Sequence, residues 1–260
     1  MILDEIVAHK LEQVAAQKVA VPIGQIQERI ERNAPARDLR AAVRLEGITL
    51  IAEIKRASPS KGDILPGVDP VDLAALYEQS GARAISILTD ARYFKGTLDD
   101  LTSVHNNIRV PCLRKDFIVD AYQIYEARAA GADAILLIAR ILSVERLSQY
   151  LDLAHALGMA ALVETHSKTE IGRAIDCGAH IIGINNRNLD TLEVDVNTTM
   201  TLRKCVPGGH ILVSESGIYT RAHVKMLEAG GVDAILVGES LLSSNDIRAK
   251  ILELLGHDES

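Results

Sequence analysis

Four closely similar phrases recur along this chain and limit what it can fold into: GARAISIL from Gly81, GADAILLI from Gly131, GAHIIGIN from Gly178 and GVDAILVG from Gly230/Gly231. In each, a glycine fits a helix C-cap and leads directly into a short apolar run that reads as a buried strand. Between them fall strand-like runs with charged endings: ITLIAEIK near Lys55, VPCLRKDF near Lys115, AALVETH near Glu164 and ILVSESG near Glu215. From Gly81 onward the two kinds alternate in two-strand units of about fifty residues, an internal repeat.

The connecting segments carry helix signals. Asp69-Pro70 reads as an N-cap followed by proline at the first helical position. The stretch from Ser143 opens with serine and an early glutamate and ends in glycine. Eight strands alternating with eight helices predict a parallel sheet with right-handed crossovers. The regular recurrence favours an α/β fold of the (β/α)₈ TIM-barrel type over a doubly wound open sheet, and 260 residues suit one such barrel.

Residues 1–47 do not fit the repeat and are expected to form an N-terminal helical extension packed on a barrel spanning 48–260, one domain in all. Leu3, Ile6, Val7, Leu11 and Val14 make one helical stripe, and Ile23, Ile26 and Ile30 begin another after Pro22. The extension is read as a cap over one end of the barrel rather than a plain surface arm. The Gly/Pro/Ser-rich segment from Ser58 to Gly67 is expected to be a loop of the kind that acts as a lid.

Composition narrows the function. With 3% aromatic residues and no tryptophan, the core must be aliphatic. A net charge of −7, with no Lys/Arg run longer than two, excludes a nucleic-acid surface. An anionic substrate must then be drawn by a few basic groups focused in a cleft. Cys112, Cys177 and Cys205 form no CxxC, so no disulfide scaffold and a reducing cytoplasm are expected, with Cys112 a buried thiol. No signal peptide or membrane span is read. The eight histidines show no paired ligand spacing, so no metal is expected.

In a barrel, reactive groups come from the C-terminal ends of strands. Alternation puts Glu53 and Lys55 on one face, an acid and a base side by side, where a merely structural pair would be a salt bridge. Lys115 shares a face with Leu113 while Arg114 and Asp116 point towards the helices, where ion pairs are expected. A buried ammonium needs a carboxylate such as Glu53, Glu164 or Glu215, or an anionic ligand. Lys115 can then serve as a general acid or form a Schiff base. Glu164 ends an otherwise apolar strand; His166 reads as a loop histidine. Asn185 and Arg187 suit a carboxylate or hydroxyls. Glu215 and Ser216 before Gly217, and Gly238 with Ser240 before a helix, match the phosphate cradle that follows strands seven and eight of many barrels.

Together these segments resemble the indole-3-glycerol phosphate synthase family of tryptophan biosynthesis. The likeness runs from the helical extension through AEIKRASPSKG, LRKDFIVD, LLIARIL, ALVETH, IGINNRNL, LVSESGI and AILVGESLL. It implies a monofunctional, cofactor-free carboxy-lyase. The substrate, 1-(2-carboxyphenylamino)-1-deoxyribulose 5-phosphate, would be ring-closed, decarboxylated and dehydrated. The resemblance makes Lys115 the acid at the ketone with Glu164 orienting it, and lets Lys55 and Glu53 serve dehydration. It assigns Gly217, Gly238, Ser240 and Lys55 to the phosphate, and Asn185, Arg187, Glu215 and Ser216 to the sugar and carboxylate. Ser58 counts with the substrate-binding group, and Phe94 and Phe117 with the ring wall. A monomer or weak homo-oligomer is expected. Two rivals remain at this point: a Schiff-base aldolase using Lys115, and an inert barrel that senses a phosphosugar.

Overall fold

Eight parallel strands close on themselves in the computed structural model, which describes residues 2–58, 62–64 and 67–257. They are β1 (Thr49–Ile54), β2 (Ala84–Leu88), β3 (Cys112–Lys115), β4 (Ala134–Ile138), β5 (Ala160–Thr165), β6 (Ile181–Asn185), β7 (Ile211–Glu215) and β8 (Ala234–Val237). Each pairs with its sequence neighbours, and β8 returns to β1 in the register Thr49↔Ala234 to Ala52↔Val237. A helix follows each strand, so both sheet faces are covered and the strands can be apolar along nearly their whole length.

Residue alternation splits the core in two. Ile51, Leu113, Leu136, Leu162, Val213 and Leu236 fill the barrel interior, while Leu50, Ile85, Ile135, Val163, Ile182 and Ile235 pack outward against the helices. The recurring glycines explain the repeat. Gly81, Gly131, Gly178 and Gly231 all take positive φ where a helix ends and the chain swings into the next strand. Asp69 caps its helix as read, accepting from Val71 N–H with Pro70 in the first turn. Ser143 accepts from Arg146 N–H, one position beyond the glutamate, so the helix Val144–Ala156 has a serine cap without a reciprocal box.

The extension forms α1 (Ile2–Ala20), α2 (Ile23–Glu31) and α3 (Leu39–Val43). Its buried stripe on α1 is Leu3, Ile6, Lys10 and Val14; Leu11 and Ile23, expected on the apolar stripes, are 47% and 41% exposed. Lys10 is buried because its ammonium meets Asp90 at 2.6 Å and Asp116 at 2.9 Å, clamping α1 to the loops after β2 and β3. Asp116 also holds Arg114 at 2.9 Å, and Arg114 reaches Glu126 of the next helix at 3.0 Å, the outward ion pairs expected of both. Burial opposes charge on Asp116, yet Arg114 and Lys10 outweigh it and hold its carboxyl down to about 2.

The cap reading applies at the far end of the extension. Leu39 and Val43 of α3 join the interior cluster with Ile51 and Ile211, closing the N-terminal mouth. Leu3 and Ile6 of α1 lie at the opposite, C-terminal rim, beside Phe94 and Phe117. In the loop read as a lid, Ala57–Ser58 pairs with Gly62–Asp63; its residues 59–61 and 65–66 lie outside the described ones. No described helix is long and apolar enough to cross a membrane.

Candidate active site

The outermost interior layer is built by the odd strands, each ending in a charged side chain: Glu53 on β1, Lys115 on β3, Glu164 on β5 and Glu215 on β7. A layer of four from alternate strands is how barrels of this kind fill their interior. Below it the same positions hold Ile51, Leu113, Leu162 and Val213, so the charges rest on a dry aliphatic floor.

Lys115 Nζ stands 3.0 Å from Glu164 Oε2 and 3.3 Å from Glu215 Oε2. Lys55 Nζ donates to Glu53 Oε1 at 2.8 Å. Burial favours a neutral Lys115, but Glu164, Glu215 and Glu53 together outweigh it and raise its pKa, so the amine stays an ammonium. Glu164 is likewise buried, but Lys115 and then His166 hold it below the usual carboxylate range. Glu215 is the group left over. Burial, only partly offset by Lys115, combines with repulsion from Glu164 and Glu53 to push it up to about 7. One ammonium among three buried carboxylates thus keeps an acid and bases within reach of each other.

Two glycines make room for this layer. A Cβ on Gly183, within β6, would fall 2.3 Å from Glu215 Oε1, and one on Gly238 would fall 2.7 Å from Glu53 Oε1. Gly183 escapes a reading of the sequence for chemistry; its one signal is a glycine inside a strand, which marks close approach of a neighbour. Gly183→Ala is expected to cost about 1–3 kcal/mol of stability through overpacking, read from the urea midpoint. A midpoint equal to that of the wild type would mean that Glu215 does not fill that space.

Beside the charged layer lies a pocket lined by Lys55, Arg187, Ser216, Gly217, Tyr219, Gly238, Glu239 and Ser240. Ser216 and Gly217 both have positive φ (69° and 76°), turning the chain sharply after β7. The Ser240 hydroxyl donates to Ile218 O at 2.8 Å, so Ser240 meets the pocket with its backbone while its side chain ties the two loops together. Arg187 reaches Glu239 Oε2 at 3.3 Å and Leu192 O at 3.2 Å, and Tyr219 OH donates to Glu239 Oε1 at 2.5 Å. Tyr219 and Glu239 were not foreseen as site residues, since neither ends a strand. Asn185 Oδ1 accepts from Arg187 N–H at 3.0 Å, and Asn185 lines the cavity with Glu164 and Lys115.

Across this cavity Phe94 and Phe117 stand with ring centroids 6.2 Å apart. With Leu3, Ile6, Leu189 and Leu192 they make an apolar wall that also reaches Ser58. Both rings are half-buried and face an opening.

At the other end of the barrel His105, Cys112 and Asp133 bring ligand-type atoms within 4.8 Å of one another. The carboxylate oxygens of Asp133 already accept from Arg37 N–H at 2.7 Å and Cys112 N–H at 2.8 Å. Burial also pushes the Cys112 thiol up, keeping it protonated. The trio pins the extension to the barrel floor and is a poor metal site.

Fold and site together define the class: a (β/α)₈ barrel with one buried ammonium among three carboxylates at its C-terminal mouth, beside an open pocket. A profile of the family described as indole-3-glycerol phosphate synthase matches residues 3–254. An indole-3-glycerol phosphate synthase of Dehalococcoides mccartyi (strain ATCC BAA-2266 / KCTC 15142 / 195) is 48% identical over 260 residues, covering 98% of this chain and all of that one. One from Roseiflexus sp. (strain RS-1) is 47% identical, covering 98% of each. One from Mycobacterium sp. (strain KMS) is 45% identical, covering 98% of this chain and 93% of the relative. The chain belongs to the indole-3-glycerol phosphate synthase family. Among solved structures, a 3-hexulose-6-phosphate synthase superposes with a TM-score of 0.64 at 15% identity, covering 80% of this chain and 99% of that one. A thiamine phosphate pyrophosphorylase from Pyrococcus furiosus gives 0.60 at 18%, covering 84% and 96%. Both likenesses concern the fold alone.

Proposed function

We propose that this protein converts 1-(2-carboxyphenylamino)-1-deoxyribulose 5-phosphate to indole-3-glycerol phosphate, carbon dioxide and water by general acid–base catalysis, a lyase step of tryptophan biosynthesis. The observation that carries this reading is Lys115, an ammonium held between Glu164 and Glu215 at the mouth of the barrel. Attack of the ring carbon on the ketone gathers negative charge on the ketone oxygen, and Lys115 supplies the proton there. Glu164 fixes the ammonium and stabilises the cationic ring that follows. Loss of carbon dioxide restores aromaticity. Lys55 and Glu53, 2.8 Å apart, then serve the elimination of water.

Phe94 and Phe117 would flank the carboxyphenyl ring, with Ser58 at the edge of that wall. Asn185, Arg187, Glu215 and Ser216 would line the sugar and carboxylate region. Gly217, Gly238 and Ser240 would offer backbone N–H groups to the phosphate, with the charge of Lys55 beside them. The same features weigh against the rival reactions. A Schiff-base lysine must be neutral to attack, whereas three carboxylates keep Lys115 charged. A sensor has no need of a charged layer that is costly to bury. We also infer a soluble, cytoplasmic enzyme that forms at most weak homo-oligomers, with residues 1–47 and 48–260 folding as one unit.

Indole fluorescence tests the reading. Purified protein mixed with the carboxyphenylamino substrate should generate indole product at a rate proportional to enzyme, without added metal or nucleotide. Folded protein that leaves the substrate unchanged would overturn it.

A further inference from the structure

On the proposed function, every turnover must draw a proton through Lys115. Ring closure puts one proton on the ketone oxygen. Dehydration puts a second on that oxygen as it leaves as water, and one proton returns from the neighbouring sugar carbon. The balance is one proton taken up per turnover, matching the carboxylate that departs as neutral carbon dioxide. Lys115, having given its proton away, must be recharged from solvent. Its own side chain is 13% exposed, towards the cavity that the substrate would fill, and behind it the side chains of Glu164 and Glu215 are 3% and 2% exposed.

A second cavity of about 720 Å³ adjoins the reaction cavity beyond the ends of β5 and β6, lined by His166, Ser167, Glu170 and Asn186 among others, with Asn185, Arg187 and Leu189 bordering both. Glu164 lines the reaction cavity, whereas His166 and Glu170 line the outer one. The imidazole of His166 lies between Glu164 and Glu170. Its Nε2 lies 3.5 Å from Glu164 Oε1, the oxygen opposite the one that holds Lys115, and its Nδ1 lies 3.4 Å from Glu170 Oε2. Glu170 is fixed in turn: its carboxylate accepts from the backbone N–H of His166 at 2.7 Å, and its own backbone N–H is capped by the Ser167 hydroxyl. Directly after a strand end, in a short βα turn, a histidine with no partner on the barrel would point to solvent; this ring is 10% exposed and sits between two carboxylates.

We propose that His166 relays protons from the outer cavity to Glu164 and so recharges Lys115 between turnovers. The imidazolium gives its Nε2 proton to Glu164 Oε1, and the Glu164 carboxyl passes it to the Lys115 amine; the neutral ring, still protonated at Nδ1, then turns its free nitrogen to the outer cavity and takes up a proton there. Glu170, Glu164 and, farther off, Glu215 all favour the imidazolium, and they prevail over burial to raise its pKa, so the ring holds a proton to give. His166 is thus a positioning and relay residue that acts through Glu164.

The relay is tested with His166→Asn and Glu170→Gln in full-length enzyme, comparing the first turnover by stopped-flow fluorescence with the steady state. A wild type that turns over is the control; its failure would remove the synthase reading and the relay together. Given an active wild type, His166→Asn should keep its first turnover within about twofold while steady-state kcat falls about tenfold or more. Added imidazole buffer should restore kcat in proportion to its concentration. Glu170→Gln should show the same pattern more weakly, and it carries the test should His166→Asn not fold. An unchanged kcat, or a first turnover slowed as much as the steady state with no rescue by imidazole, would overturn the relay.

Discussion

Replacing Lys115 by alanine is expected to lower turnover by about 10³-fold or more while the barrel still assembles. The ammonium touches Glu164 and Glu215 at the rim and packs into no apolar cluster, so its loss removes the proton donor without opening the core. Stability should change in a pH-dependent way. Without the cation, Glu164 and Glu215 are buried carboxylates with no counter-charge, and their pKa values rise above those of the unfolded chain. The folded variant then binds more protons than the unfolded chain between those values, so its stability falls as pH rises through that window. Near pH 5 the variant should melt close to the wild type. By pH 8 it should lose about 3–5 kcal/mol, the usual cost of breaking a buried pair. Parallel thermal melts at the two pH values check this. A gap that stays constant with pH would mean that Lys115 does not compensate those carboxylates, and substantial residual turnover would remove it as the acid.

Glu164→Gln is the second large effect. The amide oxygen can still accept from Lys115 across the present 3.0 Å, so substrate binding and folding should change little. The negative charge that keeps the ammonium in place and stabilises the cationic intermediate is lost. A fall of about 10²–10³ in kcat, with KM within about threefold, is expected from steady-state indole fluorescence. A wild-type kcat would exclude Glu164 from the mechanism, and a pure rise in KM would make it a binding residue.

The residues differ in how far the sequence alone shows their roles. Strand ends were plain, because period-two alternation turns Glu53, Lys115, Glu164 and Glu215 inward on strands whose neighbours are aliphatic. The glycine repeat set the barrel topology, since each glycine is where a helix turns back into a strand. Lys10 was not readable: a lysine on an apolar stripe looks like an interruption until Asp90 and Asp116, far along the chain, are seen to surround it. Gly183 and His166 share that problem. Their meaning depends on Glu215, Glu164 and Glu170 approaching from other elements, and one chain position carries no record of such distances. The extension was partly readable. Its apolar periodicity gave helices, but only the fold distinguishes α3, which plugs the barrel floor, from α1, which borders the ring wall at the opposite end.

A crystal structure with a substrate analogue whose ketone is reduced to an alcohol tests the central claim most directly. The account predicts the alcohol oxygen within about 3 Å of Lys115 Nζ, the aromatic ring against Phe94 and Phe117, and the phosphate on the backbone N–H groups around Gly217 and Gly238. A phosphate bound elsewhere, or an alcohol facing away from Lys115 with the ring outside the phenylalanine wall, would contradict it.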